Sequence, residues 1–158
     1  MKTSKDIALS KLQRYCAYQD RCHQEVRSKL LSLQIYGDDL EEIISELITD
    51  NFLNEERFAR SFARGKFRIK NWGKIRIQRE LKKRNISNYC IKKAMKEIDE
   101  EGYEEGLIRL LEKKRRIEKE KNIFQLKGKL AQYAINKGFE APLVWNILNN
   151  KFDFQESE

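Results

Sequence analysis

One proline, seven glycines, three cysteines and one histidine are all that this 158-residue chain has of the residues that break helices, cross-link chains or bind metals. With Pro142 the only proline, helices can run with few interruptions, and no flexible linker divides the chain. Cys16, Cys22 and Cys90 are too scattered, and odd in number, for a disulfide framework. His23 has no second Cys/His pair to join, which excludes an ordinary structural zinc site and leaves Cys22-His23 as an accident of core or surface. No signal peptide, twin-arginine start or apolar run of about twenty residues is present, so the sequence predicts a soluble protein of a reducing cytoplasm with no membrane partner. There is no G-x-S-x-G element, no phosphate-cradling glycine loop and no carboxylate pair in an apolar setting. The expectation is a protein that is not an enzyme and has no cofactor.

What is present is a hydrophobic spacing that occurs three times. Val26, Leu30, Ile35, Leu40 and Ile44 step by 4, 5, 5 and 4 residues, as do Ile77, Leu81, Ile86, Ile91 and Met95, and Leu130, Ala134, Phe139, Val144 and Leu148. Steps of four mark one face of a helix, and the two steps of five bracket a residue that leaves one helix and enters the next. The central anchors Ile35, Ile86 and Phe139 lie 51 and 53 residues apart, room for one further helix per copy. The sequence therefore predicts an all-α fold of three tandem three-helix repeats, over 1–50, 51–101 and 102–158, in an elongated molecule. Hydrophobic residues at 40% and charged residues at 37% allow each unit only a thin core under a charged surface, with little left over for a deep pocket.

Helix boundaries follow from capping chemistry. Ile7, Ala8, Leu12, Tyr15 and Cys16 form a first stripe; Asp20 can cap a second helix, and Asp38 or Asp39 a third bearing Leu40, Ile43, Ile44 and Leu47. Asn54 can cap a helix with Glu55 and Glu56 in its first turn and Phe58, Ala59 and Phe62 inside. Asn71 is placed to cap the next helix, with Ile75, Ile77 and Leu81, which stops at Asn85, a residue tolerant of the left-handed conformation. Ser87 can cap the helix of Ile91, Met95 and Ile98. A long helix is expected over Glu104 to Lys121 with Leu107, Leu110, Leu111 and Ile117 on one face, followed by a helix ending at Gly138 and a last one with Pro142 in its first turn. The acidic tail after Phe154 is expected to fray.

Net charge is +8, and its distribution says more than its sum. Residues 57–84 hold twelve basic residues and one acid, Glu80, so this stretch is +11 and the rest of the chain −3. Residues 38–56 hold eight acids and no Lys or Arg, which can cap and solubilise or pair with a basic neighbour. A run as one-sided as 57–84 repels itself, and that repulsion falls when phosphates or carboxylates of a partner neutralise it. Arg57, Arg60, Arg64, Lys66, Arg68, Lys70, Lys74, Arg76, Arg79, Lys82 and Lys83 form the expected contact set. Trp72 among them can stack on a base or pack over the core edge. Lys113 to Arg116 is a smaller basic patch, diluted by Glu112, Glu118 and Glu120, and reads as a solvated helix.

The string Asn51-Phe-Leu-Asn-Glu-Glu-Arg-Phe-Ala-Arg-Ser-Phe-Ala-Arg-Gly-Lys, followed by Trp72-Gly73, Lys74-Ile75-Arg76-Ile77, Glu80-Leu81 and Asn85-Ile86, resembles the signature of the RecX family, bacterial regulators of the RecA recombinase. A weaker copy occupies 21–47, and 126–149 resembles the family's C-terminal repeat, including Lys137-Gly138-Phe139. Asn85 stands where the family usually has glycine, and Lys74 where a proline often follows. The resemblance implies tandem three-helix repeats in an extended, curved molecule that binds the RecA filament on DNA, along its groove, and restrains recombinase assembly, strand exchange and ATP hydrolysis. It also implies DNA binding, single-stranded DNA included, and no catalytic residues. A monomer is expected. Two other readings of the same residues stay open: a DNA-binding helical module in its own right, and a helical scaffold for another acidic protein.

Overall fold

The structure, a computed structural model, describes residues 4–154, and these form nine helices and no strand. They are α1 (Lys5–Tyr18), α2 (His23–Ser32), α3 (Gly37–Thr49), α4 (Glu55–Arg68), α5 (Lys74–Lys83), α6 (Asn88–Met95), α7 (Glu100–Ile117), α8 (Ile123–Asn136) and α9 (Ala141–Asn150). Three helices fall to each repeat. The acidic tail beyond Phe154 lies outside the described residues. No helix among them is long and apolar enough to cross a membrane.

The triplicated spacing has one local cause. Gln34 (φ 62°), Asn85 (φ 58°) and Gly138 (φ 104°) each sit in the left-handed region one residue before a central anchor. Each sends its N–H back three residues, to Leu31, Lys82 or Ile135, at 2.9–3.0 Å. The next N–H, of Ile35, Ile86 or Phe139, returns five residues, to Leu30, Leu81 or Ala134, at 3.0–3.2 Å. This pair of bonds satisfies carbonyls that the helix end orphans and brings the following hydrophobe back onto the helix it has just left. Fourteen of the fifteen spacing residues are buried, and Met95 is half-buried.

Asn54 and Ser87 cap as expected, accepting from Arg57 N at 2.9 Å and Cys90 N at 3.2 Å. Three other caps do not. Asp20 is turned to Arg57, and Cys22 precedes α2. Asp38 and Asp39 lie inside the first turn of α3, behind Tyr36, where they still face the positive end of the helix dipole. Asn71 is left-handed (φ 58°) in the turn after α4, and α5 starts only at Lys74. The long helix lies four residues earlier than expected. Asp99 caps it, accepting from Gly102 N at 2.6 Å, and Asn122 caps α8 inside the charged run, so residues 118–122 leave the helix and Ile117 is 72% exposed. Ile7 and Ile75 are also exposed, since a residue two positions from a buried one, as Ile75 is from Ile77, lies on another helix face.

The chain gathers into two compact units, residues 1–61 with 81–94 and residues 62–80 with 95–158. In the first, α1, α2 and α3 enclose a core of Ala8, Leu12, Cys16, Val26, Leu30, Ile35, Leu40, Ile43, Ile44, Leu47 and Leu53. Each large side chain there stabilises by about 1.5–3 kcal/mol. Two acids of α3 pair within this unit, Glu42 with Lys5 and Glu41 with Arg27 through two bonds of 2.8 and 3.0 Å.

In the second unit the start of α5 docks on the end of α8. Gly73 N donates to Lys137 O at 2.8 Å and Ile75 N to Gly138 O at 3.0 Å, so the orphan donors of one helix meet the orphan acceptors of another. Between them, Lys74 N donates to Tyr103 Oη at 2.9 Å, and Tyr103 donates to Glu140. Both glycines are obligatory here. A Cβ on Gly73 would lie 2.2 Å from the Gly138 carbonyl carbon, and one on Gly138 2.4 Å from Arg76 Cβ. Phe67, Tyr103 and Phe139 line the joint, with ring centroids 5.8 and 5.0 Å apart along the series.

Gly73→Ala is expected to cost about 3 kcal/mol, because backbone stands where the methyl must go. Gly128→Ala, on α8 with open space around it, is expected to gain about 0.5–1 kcal/mol. Urea unfolding of the two variants reads the contrast.

Burial, and then the bond to Glu140, push the Tyr103 phenol well above its usual value of 10.0. The folded form therefore keeps a proton that the unfolded chain loses, and stability falls as pH rises above about 10. Tyr103→Phe removes that slope while costing about 1–3 kcal/mol at neutral pH, since Lys74 N loses its acceptor. Denaturation midpoints across the alkaline range test both effects.

Candidate anion-binding interface

Arg57, Arg60, Arg64, Lys66 and Arg68 lie on α4, Lys70 and Trp72 in the connection, and Lys74, Arg76, Arg79, Lys82 and Lys83 on α5. Helix α4 begins with Glu55 and Glu56 and ends with Lys66 and Arg68, a charge order that matches its dipole. Helix α5 has no acid in its first turn and ends on Lys82 and Lys83.

Within the first compact unit Arg57 is an anchor. Its Nε donates to Asp20 Oδ1 at 2.7 Å, and its Nη2 donates to the carbonyls of Asn51 and Phe52 at 3.1 Å each. Arg60 Nη2 lies 3.9 Å from Glu56 Oε1, one helical turn away. Lys82 and Lys83 are exposed.

Within the second unit Arg64 pairs with Glu97 at 3.2 Å. Lys66 Nζ and the Arg76 guanidinium lie 4.9 and 4.3 Å from the centroid of the half-buried Trp72 ring, which meets Phe62 edge-on at 6.2 Å. Lys74 Nζ lies 4.6 Å from the Tyr103 ring centroid. Arg68, Lys70 and Arg79 are exposed, and Ile69 (76%) and Ile75 (47%) are exposed with them.

The expected contact residues thus sort by surroundings: Arg57, Arg60 and Arg64 beside the chain's own carboxylates, Lys66, Lys74 and Arg76 over aromatic rings, and Arg68, Lys70, Arg79 and Lys82 toward solvent, while Lys83 is exposed as well. Exposed cations interspersed with isoleucines can hold a polyanion or an acidic protein surface, and they offer no nucleophile or acid–base pair. Among the described residues no group of three or more His, Cys, Asp or Glu is placed to hold a metal, and the three cysteines are buried thiols. Asp20, Glu97, Tyr103 and Glu140 shape this region without any sequence signal, because each acts on a residue at least 29 positions away.

Two family models match in succession: RecX, second three-helix domain, over residues 54–95, and RecX, third three-helix domain, over residues 101–148. The chain belongs to the RecX family. Both matches end on the last residue of a spacing copy, Met95 and Leu148, and the first begins on the cap Asn54. Regulatory protein RecX of Bacillus cytotoxicus is 28% identical over 130 residues, which cover 82% of this chain and 48% of that protein. Regulatory protein RecX of Bacillus mycoides is 25% identical over 144 residues, 91% of this chain and 53% of that protein. The chain spans about half the length of these curated RecX relatives. RecX from Lactobacillus salivarius superposes with a TM-score of 0.80 at 26% identity, covering 92% of this chain and 94% of that one. A second crystal structure of regulatory protein RecX, at 21% identity, shares the fold with a TM-score of 0.82 over 93% of this chain and 73% of that one.

Arg57→Ala is expected to destabilise by about 1–2 kcal/mol, since two backbone carbonyls and Asp20 lose their donor. Arg68→Ala and Lys70→Ala are expected to stay within about 0.5 kcal/mol of the parent chain. Thermal unfolding of the three variants separates anchor from surface.

Proposed function

We propose that this RecX-family protein modulates RecA filaments on DNA, mostly by restraining recombinase activity in homologous recombination and repair, with no catalysis of its own, in the cytoplasm. The observation that carries this reading is the pair of consecutive RecX domain matches over the two repeats that hold α4 to α9. Spans 1–50, 51–101 and 102–158 are the modules we assign, with the middle one supplying the main contact. Its exposed Arg68, Lys70 and Arg79, beside Ile69 and Ile75, supply charge and apolar area for an acidic protein surface or phosphate.

A second reading, a DNA-binding module acting alone, is favoured by the same exposed cations. It requires tight binding to naked DNA whose logarithm falls steeply with the logarithm of salt concentration.

The test is a titration into preformed RecA filaments while ATP turnover and strand exchange are followed. The parent chain is expected to slow both, and the charge reversals Arg68→Glu, Lys70→Glu and Arg79→Glu together to weaken the effect about tenfold or more with the helical signal intact. Unchanged ATP turnover and strand exchange at excess parent protein would overturn the proposal.

A further inference from the structure

The third repeat carries a second basic stretch whose meaning the fold changes. Residues 113–129 hold eight basic residues and two acids, Glu118 and Glu120. In a helix those glutamates would be interleaved with the lysines and dilute them. In the structure the segment between α7 and α8 leaves the helix, with Glu118 (ψ 130°) and Asn122 (ψ 117°) extended. Successive side chains of an extended segment point to opposite sides, and burial alternates accordingly: Glu118 and Glu120 are half-buried, Lys119 and Lys121 exposed.

The two acids are answered from within. Lys129 Nζ lies 3.6 Å from Glu118 and 3.5 Å from Glu120. Glu118 also accepts from Lys119 N at 3.2 Å, and Glu120 from Asn122 N at 3.1 Å. The Asn122 N–H is the main reason that the Glu120 carboxyl is held below its usual range. Other cations are engaged as well: Arg115 with the rings of Phe152 and Phe154 and the Asp153 carbonyl, and Lys114 with the Tyr133 ring. Arg116, Lys119 and Lys121 remain exposed, with no ion pair among the described residues.

Apolar area is exposed among these cations. Phe124 is 86% exposed, Ile117 72% and Ile123 52%, all within eight residues. Beside them, Lys119, Lys121 and Ile123 line an open cleft of about 1290 Å³, which Phe154 lines as well.

We propose that the connection between α7 and α8 is a binding surface for single-stranded nucleic acid, in which Arg116, Lys119 and Lys121 meet phosphates and the Phe124 ring stacks on an unpaired base. A single strand offers what this surface can use, a regular series of negative charges and base faces open to an aromatic ring, whereas a duplex keeps those faces in its own stack. A bilayer fits less well. The apolar face of α8, with Leu126, Leu130, Ala131 and Ala134, is buried in the fold, so no continuous amphipathic face is left to lie in a membrane. This surface uses none of Arg68, Lys70 and Arg79, and the inference does not depend on RecA.

Fluorescence anisotropy of a labelled oligothymidylate with the full chain tests it. Phe124→Ala is expected to weaken binding about tenfold with the salt slope unchanged, since stacking and not charge is removed. Lys119→Ala with Lys121→Ala is expected to lower the slope of log affinity against log salt by about 1.4, from about 0.7 per phosphate contact. Phe124→Trp is expected to hold affinity and to show indole quenching when the oligothymidylate binds. The proposal fails if the parent chain does not bind oligothymidylate, if the alanine variants bind as the parent does, or if the tryptophan is not quenched. It also fails if these variants lose an effect on RecA while binding oligothymidylate unchanged, which would assign the surface to a protein partner. The assay contains no recombinase, so a failure here leaves the RecA reading standing, and an unaffected ATPase leaves this one standing.

Discussion

Chain reversal after α2, α5 and α8 depends on a single residue held at positive φ, Gln34, Asn85 or Gly138, and on the two N–H groups that then turn back to the helix. Left-handed backbone costs an ordinary L-residue about 1–2 kcal/mol, which burial of the next side chain, at about 1.5–3 kcal/mol, offsets. That balance explains why a glutamine can occupy the position in the first repeat and why asparagine, which tolerates the conformation better, suffices in the second. Glycine in the third answers a different need. Arg76 packs so close to Gly138 that a Cβ there would lie 2.4 Å from Arg76 Cβ, so space as well as φ excludes a side chain.

The same glycine joins two motifs that lie 65 residues apart in the chain. Trp72-Gly73 and Lys137-Gly138-Phe139 are two halves of one joint, in which the free donors of α5 meet the free acceptors of α8 and Tyr103 bridges Lys74 N to Glu140. A helix start whose first turn carries lysine and arginine but no acid is electrostatically awkward, and the carbonyls at the end of α8 supply the partial negative charge that this turn lacks. The stacked Tyr103 and Phe139 rings beside these bonds are both buried, and a hydrogen bond in such surroundings is worth more than one at the surface.

Charge in this protein is organised by which carboxylates are already engaged. Arg57 and Arg64 sit in the basic stretch by sequence yet face Asp20 and Glu97 in space, while Lys119 and Lys121 sit among glutamates by sequence yet are exposed, and those glutamates pair with Lys129. Net charge over a window therefore misjudges both regions in opposite directions. The cations left over are carried beside exposed Ile69 and Ile75 in one place and exposed Phe124 and Ile117 in another.

The repeat, the helix count and the caps Asn54 and Ser87 were legible in the sequence because each is decided within about five residues, the reach of a helix-end hydrogen bond. The RecX resemblance was legible for a related reason, since its motifs coincide with those caps, turns and buried anchors. Asp20 and Asn71 misled as caps, and the long helix was placed four residues late, because competing partners or a second cap decided the matter. By itself the sequence determined which segments are helices and which of their faces are apolar, since both follow from neighbours along the chain. Only the tertiary structure decided which charges are answered, which rings are open and which glycines must stay glycines, because those depend on atoms that folding brings together from 37 residues away, as Arg57 and Asp20 are.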